Sequence, residues 1–310
     1  MKKKISLSEK IFIAGGNGMA GSAILRMLRE AGYGKSLNGG NILNPSREEL
    51  DLTNLELVRN WFKSNKPTVV IVAAARVGGI LANASQPASF ILDNLKIQTN
   101  IIETAWENGT KRLLFLGSSC IYPKFSNQPI EEEELLTGAL ETTNEWYAIA
   151  KISGIKLCQA LRLQHSFDAI CLMPTNLYGP GDNYHPTQSH VMAALIRKFC
   201  EAVKDSSPSV TCWGSGTPFR EFLHVNDLGK AVIFALENWD PNSDEAPLNK
   251  DSQPLTYLNV GTGLDISIKE LSEKIATLSG FKGNILWDKT KPDGTPKKLL
   301  NVNRLKEMGW

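Results

Sequence analysis

Short apolar runs alternate with longer stretches of helical periodicity through the first half of the chain. Residues 11–14, 69–75, 113–116 and 169–173 are almost continuously apolar, which is typical of strands that are buried on both faces. Apolar residues recur at helical spacing near 19–28, 55–62, 90–106 and 145–164. This alternation predicts an α/β fold with a doubly wound parallel sheet and helices on both of its faces.

The pattern changes after Pro174. Residues 179–186 are rich in Gly, Pro, Asn and Asp, and later apolar runs are short and interrupted. We therefore predict a first domain at 1–173, to which 222–260 returns. A smaller C-terminal lobe, made of 174–221 and 261–310, should lie over the carboxyl ends of the strands. The polar segment 239–254 is interpreted as a surface insertion.

A glycine-rich turn joins the first predicted strand to the first predicted helix. Gly15, Gly18 and Gly21 are spaced G-x-x-G-x-x-G. The first glycine permits a tight turn, the second lets the backbone approach a pyrophosphate, and the third lets helix and strand pack closely. Because the positive end of a helix dipole follows, the motif predicts a Rossmann-type dinucleotide site.

The second predicted strand indicates which dinucleotide binds. An NAD site usually has an acidic residue about 20 residues after the glycines, to hold the ribose 2′-hydroxyl. Here the strand near 41–43 is followed by Asn-Pro-Ser and then Arg47, with Glu48 after it. Since an arginine suits a 2′-phosphate, the sequence favours NADP(H) over NAD.

Tyr147 and Lys151 form a Tyr-x-x-x-Lys pair on one predicted helix face. The tyrosine pKa is ordinarily about 10, and a nearby ammonium is expected to lower it so that the phenol can exchange protons. Ser118 and Ser119 follow the strand at 113–116, at the sheet edge where such folds bind ligands. Together with the glycine-rich turn, the Tyr147–Lys151 pair and the strand-end serines predict carbonyl reduction. Ser118 is expected to polarise the carbonyl.

Composition excludes several other classes of function. The chain has 34 basic and 32 acidic residues and a net charge of +2, which gives no reason to expect nucleic acid as a partner. Its five cysteines have no C-x-x-C spacing, so neither a disulfide framework nor a metal site is predicted, and a cytoplasmic location is expected. No apolar run suits a signal peptide or a membrane helix.

The motifs resemble those of the extended short-chain dehydrogenase/reductase family, and within it those of the GDP-L-fucose synthases. The similarity extends from about residue 11 to residue 310. The segments that carry it are 117–124, 144–151, 173–180, 189–191, 213–218, 220–222 and 291–296.

The resemblance implies a bifunctional reaction. Such enzymes epimerise GDP-4-keto-6-deoxy-D-mannose at C3 and C5, then reduce the C4 ketone with NADPH to give GDP-L-fucose. Cys120 matches the family's base and His190 its acid, and a nearby cation or His190 is expected to lower the Cys120 pKa. Tyr147 would protonate the C4 oxygen, while Lys151 tunes Tyr147.

Further binding residues are also implied by the resemblance, as is a homodimer formed through helices near 90–107 and 145–164. The expected cofactor contacts are Gly15, Asn17, Gly18, Met19, Gly21, Arg47, Leu116, Gly117, Ser118, Lys151, Pro174, Asn176, Leu177 and His190. The expected contacts to the nucleotide-sugar are Lys198, Trp213, Arg220, Asp293 and Lys298.

The chain departs from the family pattern at three positions. Asn17 replaces an arginine that helps to hold the 2′-phosphate, which weakens the case for NADP but leaves Arg47. Lys198 stands where arginine is usual, so charge is kept but the bidentate fork is lost. Arg76 stands where lysine is usual.

Two other readings remain open. The first is another nucleotide-sugar enzyme of this fold: a 4-epimerase, a 4,6-dehydratase or a reductase without epimerase activity. A dehydratase is expected to have an acid after the strand-end serine, where this chain has Ser119 and Cys120, and a 4-epimerase needs no Cys120–His190 pair. The second is a non-catalytic NADP-binding protein, which should lack Tyr147 or Lys151.

Overall fold

The computed structural model describes residues 3–291 and 293–310, apart from the side chains of residues 80 and 81. Residues 1 and 2 of the predicted first domain, and Pro292 of the 291–296 motif, lie outside the described residues. The strands are β1 Lys10–Ala14, β2 Asn41–Leu43, β3 Val69–Val72, β4 Arg112–Leu116, β5 Ala169–Pro174, β6 Asn176–Tyr178, β7 Ser209–Trp213, β8 Phe219–His224, β9 Tyr257–Val260, β10 Asp265–Ser267, β11 Asn284–Asp288 and β12 Lys297–Lys298. The helices are α1 Met19–Glu30, α2 Leu55–Asn65, α3 Ile80–Ser85, α4 Pro87–Glu107, α5 Glu145–His165, α6 Val191–Lys204, α7 Val225–Asn238, α8 Ile268–Ser279 and α9 Asn303–Glu307.

Six strands form a wholly parallel sheet in the order β2-β1-β3-β4-β5-β9. The order reverses between β1 and β3, which is the switch point where doubly wound sheets bind ligands. Helices α1 and α7 pack together, and α4 packs against both α2 and α5. The predicted doubly wound parallel α/β fold is confirmed.

The core of this sheet follows from the apolar runs. All residues of β3 and all side chains of β4 are buried, as expected for strands covered on both faces. One interpretation of the sequence is wrong here. Segment 239–254 is not wholly a surface insertion, because Trp239 is fully buried and its carbonyl accepts a hydrogen bond from the Arg112 guanidinium.

The rest of the chain builds smaller sheets around a second apolar cluster. Strand β8 pairs with β6 and β12 in parallel and with β10 antiparallel, while β7 pairs with β11. Helices α6 and α8 pack together beside this second cluster, which contains Leu195, Phe199 and Leu271. Strand β9 belongs to the large sheet. The predicted division at 173, 221 and 260 stays a prediction.

Candidate active site

One cavity of about 870 Å³ collects the chemistry-bearing residues of both halves of the chain. It begins at the carboxyl ends of β1, β3, β4 and β5 and extends to β7, β8 and β12. Every residue that the sequence analysis named for catalysis, cofactor binding or substrate binding, from Gly15 to Lys298, lines it. The individual roles of these residues remain predictions.

The glycine turn has the geometry of a phosphate cradle. Gly15 has φ of +83°, and a Cβ there would lie 2.6 Å from the Ala74 Cα. A Cβ on Gly21 would lie 2.1 Å from the Gly15 carbonyl oxygen. No side chain caps the start of α1, so its first N–H groups face the cavity edge without a capping partner. These features fit a dinucleotide pyrophosphate.

Adding a methyl group at Gly21 should damage this cradle. We expect Gly21→Ala to destabilise the protein by about 1–3 kcal/mol, because the close approach of helix and turn leaves no space for it. Chemical denaturation should measure the loss, and NADPH titration should show weaker binding. Gly18→Ala is the matched comparison for stability: its Cβ meets nothing nearer than 3.5 Å, so equal losses of unfolding free energy in both variants would refute this account.

The end of the cavity beyond β2 is suited to a 2′-phosphate. Arg47 is exposed there and lines the cavity. Two of the three neighbouring acids make local hydrogen bonds: Glu49 accepts from the Ser46 N–H at 2.6 Å, and Asp51 accepts from the Thr53 N–H and hydroxyl. These bonds take up acceptor positions on both carboxylates. Because an exposed guanidinium suits a phosphate, the region favours the arginine–phosphate contact.

Tyr147 and Lys151 lie on α5 and face the cavity beneath the end of β4. The Lys151 Nζ donates a hydrogen bond to the Leu116 carbonyl at 2.7 Å and lies 5.8 Å from the centre of the Tyr147 ring. Burial lowers the pKa of Lys151 to about 8, so the side chain stays mostly charged at neutral pH. The expected lowering of the Tyr147 pKa is not seen, because burial raises the pKa of this phenol.

Ser118 and Cys120 lie in a 3-10 turn directly after β4. The Ser118 Oγ accepts a hydrogen bond from the Cys120 N–H at 3.3 Å, which leaves the hydroxyl proton free to donate to a carbonyl. Cys120 is buried. Burial raises the pKa of its thiol, although the positive charge of Lys298, followed by smaller contributions from Ser118 and Lys151, opposes the shift. Lys298 thus has the lowering effect expected of a nearby cation, but desolvation outweighs it, and the pKa of the thiol is raised overall.

His190 precedes the first residue of α6 and lines the same cavity. Desolvation by the cavity wall lowers the pKa of its imidazole, and the Asp182 carboxylate partly offsets this effect. Much of the residue remains accessible to solvent, because a wide cavity adjoins it. A neutral imidazole with an acidic neighbour can both accept and return a proton near neutral pH.

Trp213, at the end of β7, presents an aromatic face between two lysines. The Lys198 Nζ lies 5.3 Å and the Lys291 Nζ 5.6 Å from its ring centre. Lys198 also donates a hydrogen bond to the Thr211 carbonyl at 2.7 Å, which fixes the position of its ammonium. The indole remains 44% exposed, so a planar base or a phosphate can approach this cationic surface.

Arg220 and Lys298 are opposite each other on the paired strands β8 and β12. Burial lowers the pKa of both groups. Asp293 is engaged within the protein, because its two carboxylate oxygens accept hydrogen bonds from the Ser215 N–H at 2.7 Å and the Ser215 hydroxyl at 2.8 Å. Its carboxylate thus holds the turn after Trp213, which indicates positioning rather than direct contact.

Three charged residues stand out among the cavity residues that were assigned no role from the sequence. Glu141 pairs with Lys124 at 2.9 Å and is close enough to act on Arg220 and Lys298. Lys291 belongs to a motif that was recognised, but its proximity to Trp213 was not apparent. Asp182 lies in a loop rich in glycine and proline, where a single acid carries no periodic signal.

Among residues 3–291 and 293–310, no helix combines the length and apolar character needed to cross a membrane. The same residues contain no group of three or more His, Cys, Asp or Glu side chains arranged to hold a metal ion.

Comparison with known proteins identifies the protein family to which the chain belongs. The sequence profile of the NAD dependent epimerase/dehydratase family matches residues 11–249, which include the glycine turn, the strand-end serines and the Tyr147–Lys151 pair. The chain belongs to this family. The sequence-based assignment to the extended short-chain dehydrogenase/reductases agrees with this result and is confirmed.

Individual relatives show which members of this family the chain is similar to. GDP-L-fucose synthase 1 from Arabidopsis thaliana is 52% identical over 98% of this chain and 88% of its own length. GDP-L-fucose synthase from Escherichia coli (strain K12) is 49% identical over 97% of this chain and 91% of its own length. A GDP-mannoheptose C4 reductase from Campylobacter jejuni, solved with NADP bound, superposes with a TM-score of 0.85 at 33% identity and covers 99% of this chain and 94% of its own.

Proposed function

We propose that this chain is a GDP-L-fucose synthase that uses NADPH. It epimerises GDP-4-keto-6-deoxy-D-mannose at C3 and C5 and then reduces the C4 ketone. The observation that carries the proposal is that two chemically distinct pairs line one cavity: Cys120 with His190, and Tyr147 with Lys151. The identity with GDP-L-fucose synthases over nearly the whole chain supports the same conclusion.

Epimerisation requires a base and an acid on opposite faces of the sugar. The C4 ketone acidifies the protons on C3 and C5, so a positioned base can remove each of them. Cys120 acts as that base, and its raised thiol pKa makes it a strong base once it is deprotonated. Ser118 donates a hydrogen bond to the C4 oxygen while negative charge develops there. His190 returns a proton on the opposite face of the sugar.

Reduction uses the residues on α5. NADPH, when bound, supplies the hydride. Tyr147 donates its proton to the C4 oxygen, and its raised pKa keeps this proton in place at neutral pH. Lys151 holds its position through the Leu116 carbonyl and stabilises the phenolate that remains after transfer.

The cofactor preference depends on Arg47 because Asn17 replaces the usual arginine. We expect Arg47→Ala to raise the KM for NADPH by about 10- to 100-fold, the loss expected for one charge-assisted phosphate contact. The KM for NADH should change little. Steady-state kinetics with each cofactor tests this, and Arg29→Ala in the exposed last turn of α1 is the control. Parallel losses with both cofactors would count against a 2′-phosphate contact.

A homodimer and a cytoplasmic location complete the proposal. Helices α4 and α5 pack side by side and expose large apolar side chains, among them Leu92, Ile149 and Leu163. Such a surface suits a second copy of the chain. The five cysteines are free thiols, which suits a reducing compartment.

Product analysis tests the proposed function directly. The chain should convert GDP-4-keto-6-deoxy-D-mannose to GDP-L-fucose, faster with NADPH than with NADH, as followed by mass spectrometry and NMR. A reduced product with unchanged C3 and C5 would instead identify a plain reductase, like the C4 reductase with which this fold superposes. The absence of turnover with both cofactors would show that GDP-4-keto-6-deoxy-D-mannose is not the substrate.

A further inference from the structure

Strand β12 is only two residues long, yet it carries Lys298 into the cavity. One edge of this strand pairs with β8, where Lys298 is opposite Arg220. The segment around residue 130 runs along its other edge. The Ile130 N–H donates to the Leu299 carbonyl at 2.7 Å, and the Asn301 N–H donates to the Ile130 carbonyl at 2.8 Å.

The Gln128 side chain extends this second edge. Its Nε2 donates to the Lys297 carbonyl at 3.3 Å, and its Oε1 accepts from the Leu299 N–H at 2.8 Å. These two backbone groups belong to the residues immediately before and after Lys298. Because an amide NH₂ cannot accept and an amide oxygen cannot donate, both bonds form in one orientation of the side chain. Gln128 thus takes the place of a neighbouring strand.

Lys298 needs such support because of the charges that face it. Burial disfavours its charged form, as does Arg220 on the adjacent strand, whereas Glu141 and the thiolate form of Cys120 favour it. Like charges repel each other, so the fixed backbones of β8 and β12 keep these two side chains opposite one another. Held together, they form a two-cation surface that complements a diphosphate.

Glu221 anchors the backbone next to β12 on the edge that pairs with β8. This carboxylate is fully buried on β8, next to Arg220. Its Oε2 accepts from the Leu300 N–H at 3.0 Å, and its Oε1 accepts from the Gly263 N–H at 2.7 Å. The backbone that follows Lys298 is therefore anchored to β8, so the Gln128 amide is the complementary restraint on the side facing residue 130.

We propose that Gln128 is a positioning residue, whose side-chain amide fixes β12 so that Lys298 and Arg220 present two cations at one spacing to the diphosphate of the substrate. This inference rests on the proposed function for the identity of that diphosphate. Gln128 acts through the backbone on either side of Lys298.

The test measures GDP binding to the full chain by isothermal titration calorimetry. Gln128→Met keeps the length of the side chain and removes both hydrogen bonds. We expect the Kd for GDP to rise about tenfold, as for the loss of one to two hydrogen bonds, while the KM for NADPH stays unchanged. Gln164→Met, on the exposed part of α5, is the matched control and should bind GDP normally.

A double substitution separates positioning from a general structural role. In a Lys298→Met background, Gln128→Met should cause no additional loss of GDP affinity, because the group that it positions is absent. Additive losses would overturn the proposal, as would unchanged GDP binding in Gln128→Met. If Gln128→Met does not fold, Gln128→Asn, which is one methylene shorter, replaces it with the same expected direction.

GDP binding is measured without turnover, so the outcome is independent of the reaction. A wild-type chain that binds GDP in a Gln128-dependent way, but forms no GDP-L-fucose, would refute the proposed function and support this inference. A wild-type chain that binds no GDP would overturn the inference.

Discussion

Replacing Tyr147 with phenylalanine is expected to lower the rate of ketone reduction by about 10²- to 10⁴-fold, the range for loss of a positioned general acid. The substitution removes one oxygen from a partly buried side chain that lines the cavity. It keeps the ring, so the fold should be unaffected. Solvent deuterium uptake at C3 and C5 should continue, because Cys120 and the Ser118 hydroxyl remain. Following NADPH oxidation and deuterium incorporation in the same sample separates the two steps.

A suitable control is Tyr184→Phe, since Tyr184 lies in the loop at 179–190 and is 44% exposed. It makes the same chemical change outside the cavity lining and should leave both rates as in the wild type. If Tyr147→Phe reduced the ketone at the wild-type rate, another group would have to supply the proton, and the role of α5 in reduction would be wrong.

Replacing Cys120 with serine should have the second large effect. Deuterium uptake at C3 and C5 should fall by about 10²- to 10⁴-fold, because a serine hydroxyl is a far weaker acid and stays protonated. In the wild type the thiol must lose its proton to act, and burial raises its pKa. The exchange rate should therefore increase with pH through the neutral range and level off only above the ordinary pKa range of a thiol.

Cys200→Ser provides the matched control, because Cys200 is exposed on α6 and lies outside the cavity lining. It should leave both the exchange rate and its pH profile unchanged. Retention of exchange in Cys120→Ser would remove this residue from the base role, and a flat profile in the wild type would show that no group with a raised pKa limits the reaction.

Local motifs explain why so much of the cofactor half was predictable. The glycines of residues 15–21 are consecutive in the chain, and Tyr147 and Lys151 share a helix, so spacing alone indicates their neighbours. The strands of the large sheet could be predicted because burial on both faces produces unbroken apolar runs. The family motifs then indicated the residues predicted to bind the nucleotide-sugar, although their partners could not be inferred from spacing.

What the sequence did not indicate depends on tertiary contacts or on solvent exclusion. The Gln128–Leu299 hydrogen bond joins residues 171 positions apart, and the Glu141–Lys124 pair depends on how two loops meet. The net pKa shifts of Tyr147 and Cys120 could not be predicted, because a motif shows which charges are near but not how much water is excluded. Desolvation is a property of the whole fold.

The placement of β12 beside β8 has a consequence for how the cavity can come apart. The glycine turn, the strand-end serines and α5 all lie within the first 165 residues, whereas Lys298 lies beside Arg220 through the two-residue pairing of β12 with β8. Opening of β12 would therefore separate these two cations while leaving the predicted cofactor residues in place. Nucleotide-sugar binding is thus expected to be more sensitive than cofactor binding to local unfolding at this strand.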